Sequence, residues 1–144
     1  MATIEQTTRA THASADTLAR VERALGVLIA VHSVVIGALL LFATEWGARI
    51  GGFPAVRPLF FARQAGAFHF VVATAYLAEY FRHQGVVLLL ITKSIAVVFL
   101  GLVSLLSDVP WLIPLSGLGD ALMGGAVLLL RRARGVALTG AVRR

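Results

Sequence analysis

The chain contains no cysteine among its 144 residues. This absence excludes disulfides, thiolate catalysis, cysteine-ligated zinc and iron–sulfur clusters. The spacing of the remaining metal-ligating residue types also lacks a motif such as His-Glu-x-x-His, and we therefore predict no metal site.

Charged residues are scarce: they make up 14% of the sequence, against 58% hydrophobic residues. A soluble domain of this size keeps much of its surface in contact with water and cannot bury so large an apolar fraction. The composition therefore predicts an integral membrane protein. Since each backbone polar group in lipid needs an internal partner, the fold class is expected to be all-α.

Four apolar stretches are each long enough to cross about 30 Å of hydrocarbon. They run from about Ala24 to Ala43, from Arg63 or Ala65 to Phe81, from Val86 to Leu106 and from Trp111 to Leu130. Glycine, proline and polar residues separate them. We therefore predict a polytopic membrane protein built as an antiparallel bundle of four transmembrane helices.

The arginines are divided unequally between the two ends of this predicted bundle. Nine are expected at the end that holds both termini: Arg9, Arg20, Arg23, Arg82, Arg131, Arg132, Arg134, Arg143 and Arg144. Three are expected at the other end: Arg49, Arg57 and Arg63. By the positive-inside rule, both termini are predicted to be cytoplasmic and the protein to lie in the cell inner membrane.

Three regions follow from this topology. Residues 1–23 form a cytoplasmic N-terminal tail, whose first thirteen residues are expected to be unstructured; residues 24–131 form the transmembrane domain; and residues 132–144 form a basic cytoplasmic C-terminal tail. The net charge of +6 then attracts anionic membrane lipid. Because the C-terminal arginines lack interleaved aromatic residues, we predict no nucleic-acid partner.

Ionisable residues inside spans are costly and point to a functional site. The sequence places His32, His69, Lys93 and Asp120 in this position. Helical rise puts Lys93 and Asp120 at nearly the same depth on consecutive antiparallel helices, which predicts an ion pair or hydrogen bond between them. His32 is expected to be close to this pair. Ser116, one turn from Asp120, is expected to complete the polar interior site, which could equally serve only to fix the register of the helices.

The two intramembrane histidines also allow cofactor hypotheses. His32 and His69 could ligate a haem together, or either could hold a pigment metal alone. Their predicted depths differ by roughly 6 Å from helical rise, which disfavours shared haem ligation. A hydrogen-bonded core histidine is the alternative that we prefer, and the cofactor stays unknown.

Polar residues along the second predicted span suggest a possible lining that leads toward the Lys93–Asp120 level. These residues are Arg63, Gln64, His69 and Tyr76. The alternative is that they are interface anchors and packing positions. On the first span Gly26, Ala30, Ser33 and Gly37 form a stripe of small residues, which is typical of helix packing in membranes.

Several of these residues support a resemblance to a family. The run Arg63-Gln64-Ala65-Gly66, then Tyr76, Lys93 with Ala96 to Leu100, and Gly119-Asp120 resembles small four-helix bacterial membrane proteins of the DoxX-like group. The resemblance covers most of residues 60 to 131. It implies that Arg63, Lys93 and Asp120 belong to one interior network, and it suggests an association with membrane redox complexes and quinone chemistry.

Three functions remain open at this point. The first is an accessory or structural subunit of a larger membrane complex, or a homo-oligomer, because no soluble domain and no strong catalytic motif are present. The second is a small intramembrane enzyme or a quinone- or lipid-binding protein that uses Lys93, Asp120 and His32. The third is a proton-coupled carrier, for which four helices are few.

Overall fold

The structure is a computed structural model that describes the backbone of residues 2–140 and the side chains of residues 15–140. Over this part of the chain it contains five helices. They are α1 (Ala2–Phe42), α2 (Thr44–Ile50), α3 (Leu59–His83), α4 (Val87–Leu106) and α5 (Leu112–Arg134). The all-α prediction is confirmed for the described residues.

The predicted bundle of four transmembrane helices is wrong. Within the described part of the chain, three helical stretches are long and apolar enough to cross a membrane: Ala15–Phe42, Val87–Leu106 and Leu112–Arg134. Helix α3 is long enough, but it is not among them. Its polar side chains lower its apolar character below that of the other three; they include Arg63, Gln64, His69, Glu79 and Arg82.

Helix α1 extends well beyond the span predicted to begin at Ala24. It begins at Ala2, and its 41 residues give a length of about 60 Å. Residues 2–13 are therefore helical rather than unstructured as predicted. No glycine or proline precedes Gly26, so no residue interrupts the helix before the apolar segment.

The four long helices pack in the order α3, α1, α5, α4, with neighbours antiparallel. Contacts between α3 and α4 are sparse in comparison. The largest buried cluster lies in one half of the bundle, where Ile29, Tyr76, Tyr80, Leu89 and Val127 meet. Helix α3 runs back along α1, so that its last residues lie at the end of the bundle where Glu22 of α1 contacts Arg131 of α5.

The stripe of small residues on α1 packs inside the bundle and meets α3 at Gly37; the sequence predicted helix packing but not which helix the stripe would contact. Ala30 and Ser33 are almost completely buried. The two helices approach most closely at Gly37 and Gly66. A Cβ atom built on Gly66 would lie 2.7 Å from the carbonyl oxygen of Gly37 and 3.0 Å from the backbone nitrogen of Leu41. Only glycine fits this crossing without a movement of the two backbones.

The variant Gly66→Ala is therefore expected to destabilise the protein by about 1–3 kcal/mol, the usual cost of an extra carbon in a packed interior. The measurement is unfolding in mixed micelles of detergent and SDS, followed by circular dichroism. Gly101→Ala on α4 is the control, because a Cβ atom there meets nothing within 4 Å. Equal stability of the two variants would show that α1 and α3 do not cross at Gly66.

Candidate functional site

The centre of the candidate site is an ion pair between α4 and α5. Lys93 Nζ lies 2.5 Å from Asp120 Oδ1, and the two side chains are 9% and 15% exposed. The pairing arises from the equal depth of the two residues on antiparallel helices. Gly124, one turn after Asp120, leaves room for the lysine stem, since a Cβ atom there would lie 3.3 Å from Lys93 Cβ.

Two residues of α3 extend this polar region. His69 is partly buried and lies close enough to Lys93 and Asp120 to feel both charges. Tyr76 is 4% exposed and lies within hydrogen-bonding reach of the Thr92 side chain, next to Lys93 in the sequence. The structure therefore brings four predicted site residues near one another, namely Lys93, Asp120, His69 and Tyr76, although His69 and Tyr76 lie two turns, or about 10 Å, apart along α3.

Ser116 is exposed and lies outside this group, although it was predicted to belong to it. The neighbouring Gly117 faces α4, where its Cβ position is 3.3 Å from Leu100 Cβ. Because consecutive helical residues are about 100° apart, Ser116 is rotated away from the interface.

Arg63 and Gln64 are also exposed. The buried face of α3 passes through Gly66, Ala73 and Tyr76, which leaves both residues off that face. Of the four residues predicted to form a polar lining, His69 and Tyr76 are at least partly buried, whereas Arg63 and Gln64 are exposed. The network implied by the DoxX-like resemblance contains the Lys93–Asp120 pair without Arg63.

His32 occupies an unexpected position. Its side chain is exposed on the outer side of α1. The next residue, Ser33, is 2% exposed and faces the bundle, so His32 is turned away from it. Val31 and Val35 on either side of it are each 50% exposed. An ionisable residue is therefore surrounded by apolar surface in the middle of a candidate membrane span.

A second buried charged cluster was missed in the sequence. Glu22 and Arg131 are each 1% exposed. Arg131 Nε lies 2.9 Å from Glu22 Oε1, and Arg134 forms an ion pair with the other carboxylate oxygen. The available signal was an acidic residue just before the first span, facing the arginine-rich end of α5. Position 22 falls within the predicted cytoplasmic N-terminal tail, residues 1–23.

Arg131 of this cluster also holds the segment that follows α5 in place. Arg131 donates hydrogen bonds to the carbonyl oxygens of Gln84 and, at 3.2 Å, of Ala137. The Val86 N–H donates to the Leu138 carbonyl at 3.0 Å. Residues 136–140 of the predicted basic tail therefore pack on the turn between α3 and α4. Arg143 and Arg144 lie outside the described residues.

Glu79 also stabilises the turn between α3 and α4. Its two carboxylate oxygens accept hydrogen bonds from the N–H groups of Val87 and Leu88, each at 2.9 Å. These are unsatisfied donors of the first turn of α4, where negative charge is favourable. The α3–α4 turn is thus fixed on one side by Glu79 and on the other by Arg131.

A small cavity lies between this cluster and the tyrosines. It measures about 10 Å³ and is lined in part by Glu22, Tyr76, Tyr80 and Val86. This volume is close to the minimum for one water molecule. Among the side chains of residues 15–140, no group of three or more histidine, aspartate or glutamate residues is placed to hold a metal ion.

The fold and the site together define an α-helical protein with three candidate membrane spans and two buried charged clusters. No protein-family profile, no curated protein sequence and no solved structure matches this chain.

Proposed function

We propose that the chain is an integral protein of the cell inner membrane that serves as an accessory or structural subunit of a larger membrane complex. Three apolar helices support the membrane location. The arginines around Glu22 and at the end of α5 favour a cytoplasmic position for that end of the bundle. Because Glu22 of α1 contacts Arg131 of α5, these two helix ends lie together on that side.

The observation that carries the proposal is the exposed position of His32. Ionisable residues in membrane spans almost always face the interior of a bundle or a polar cavity, because lipid offers them no hydrogen-bonding partner. His32 faces outward between Val31 and Val35. A second membrane subunit, with a polar side chain at this level, would satisfy the imidazole and cover the neighbouring Val35.

The interior pair agrees with a structural role. Lys93 and Asp120 are buried and satisfied by each other, and a pair of this kind specifies how two helices align. We therefore place the interaction with other proteins on the outer face of α1 and assign the pair to the assembly of the bundle.

The variant His32→Leu is expected to reduce the recovery of the partner about five- to thirtyfold, which corresponds to the loss of one interhelical hydrogen bond of about 1–2 kcal/mol. The measurement is purification from native membranes in mild detergent, followed by intact mass spectrometry. His83→Leu is the matched control, because His83 is exposed at the end of α3. A wild-type chain that purifies as a bare monomer would refute the subunit proposal.

A second candidate function is a quinone- or lipid-binding protein that uses the polar interior. Its specific support is the placement of His69 and Tyr76 beside the Lys93–Asp120 pair, with Asp120 still 15% exposed. The resemblance to DoxX-like proteins favours the same chemistry. Organic extraction of the purified protein tests this candidate, which requires a retained apolar ligand that is lost in Asp120→Asn while the helical content is unchanged.

A further inference from the structure

One face of α1 carries a shallow, open groove, with about 470 Å³ of space against it, that is lined by α1 alone and has a distinct division of polarity. Arg20 and Arg23 lie at one end, and the apolar remainder extends from there along the helix. The apolar lining residues are Ala24, Val27, Leu28 and Val31. Basic groups beside an apolar channel match the chemistry of a lipid with a charged headgroup and a hydrocarbon chain.

The two arginines are available to bind an anion. Among the side chains of residues 15–140, the carboxylate ion pairs involve Arg57, Lys93, Arg131 and Arg134, and neither Arg20 nor Arg23 takes part. The Arg23 guanidinium lies 5.2 Å from the centre of the Phe81 ring, which holds it at the junction of α1 and α3. Among the side chains that the structure describes, Arg20 donates its hydrogen bond to a neutral oxygen, Thr17 Oγ1, at 3.4 Å.

The length of the groove matches the acyl chain of a lipid in one leaflet. Eight residues separate Arg23 from Val31, which corresponds to about 12 Å along the helix axis. This distance is less than half of the hydrocarbon thickness of about 30 Å and matches the chain region of one leaflet. The groove ends just before His32, where the proposed contact with a partner subunit begins.

We propose that the Arg20–Val31 groove binds one anionic phospholipid. The headgroup phosphate lies between the guanidinium groups of Arg20 and Arg23, and an acyl chain packs along Val27, Leu28 and Val31. The site lies in the leaflet next to the Glu22–Arg131 cluster. It does not depend on the subunit role of the protein, since the lipid binds to the isolated chain.

Native mass spectrometry of the purified full-length chain tests this proposal, with added phosphatidylglycerol compared against phosphatidylcholine of the same acyl chains. We expect one phosphatidylglycerol molecule to bind with clear preference. Arg20→Gln together with Arg23→Gln should weaken its binding roughly 30-fold, since each arginine near a membrane surface contributes about a factor of five toward an anionic lipid. Arg20→Lys with Arg23→Lys should retain most of the preference.

Two further variants separate the groove from a general attraction to positive charge. Arg82→Gln with Arg132→Gln removes the same charge from two other exposed positions at this end of the bundle and should leave binding unchanged. Leu28→Trp fills the groove, keeps both arginines and should weaken binding. Equal binding of the two lipids by the wild-type chain, equal losses in both arginine pairs, or full binding by Leu28→Trp would each overturn the proposal. Circular dichroism establishes that each variant is folded.

Discussion

Replacing Asp120 with alanine is expected to lower the free energy of unfolding by about 3–5 kcal/mol, the usual cost of leaving one member of a buried ion pair without its partner. The ammonium group of Lys93 would remain only 9% exposed between α4 and α5, with no carboxylate at 2.5 Å. Unfolding in mixed micelles of detergent and SDS measures the loss. The expected consequence is separation of α4 from α5 before the rest of the bundle unfolds.

The double variant Lys93→Met with Asp120→Leu distinguishes a structural pair from a functional one. Apolar residues of similar volume often replace a buried pair without loss of stability. We therefore expect the double variant to unfold close to the wild type and to retain its partner subunit. A stable double variant that loses a bound apolar ligand would instead support the second candidate function. An unchanged stability of the single variant Asp120→Ala would contradict the buried pair itself.

Replacing Glu22 with alanine should have a comparable effect at the other cluster. It removes the carboxylate that faces Arg131 at 2.9 Å and pairs with Arg134. Because the Arg131 side chain is 2% exposed, its charge would lose its partner without gaining water. We expect a loss of about 3–5 kcal/mol, measured by the same unfolding method. We also expect faster proteolysis after residue 134, since Arg131 holds the C-terminal segment on the α3–α4 turn.

The chain offers a matched control for this experiment. Glu45 forms an ion pair of similar length with Arg57, at 2.8 Å, but their side chains are 55% and 73% exposed. Exposed pairs contribute at most about 1 kcal/mol, so Glu45→Ala should change stability little. Similar losses of stability in Glu22→Ala and Glu45→Ala would mean that burial does not determine how much the Glu22 cluster contributes to the free energy of unfolding.

Depth along the helices predicted the Lys93–Asp120 contact, because helical rise and antiparallel order are enough to align two residues. The direction in which a side chain points around the helix axis could not be predicted in the same way. His32 and Ser116 have the correct depth, but a difference of about 100° places each beside a buried neighbour rather than on the buried face. Apolar residues surround most of each helix, so the hydrophobic pattern does not reveal which side of a membrane helix faces its neighbours.

The number of membrane spans was overestimated because length and apolar segments do not show how polar one face of a helix is. The predicted second span was judged by its length and its apolar segments, although α3 includes Arg63, His69 and Glu79. Packing against α1 allows α3 to form a long helix despite this polar content. Its small residues Gly66 and Ala73 lie in that interface, and its Tyr76 is buried in the core.

The sequence by itself determined the apolar composition typical of a membrane protein, the all-α fold and the equal depth of Lys93 and Asp120, because composition and helical rise are properties of single segments. Only the tertiary structure decided that Glu22 pairs with Arg131 across 109 positions of the chain, that the C-terminal segment packs on the α3–α4 turn, and that His32 faces outward. These features depend on the rotation and order of packed helices. Contacts between distant segments set that arrangement, and no local pattern encodes it.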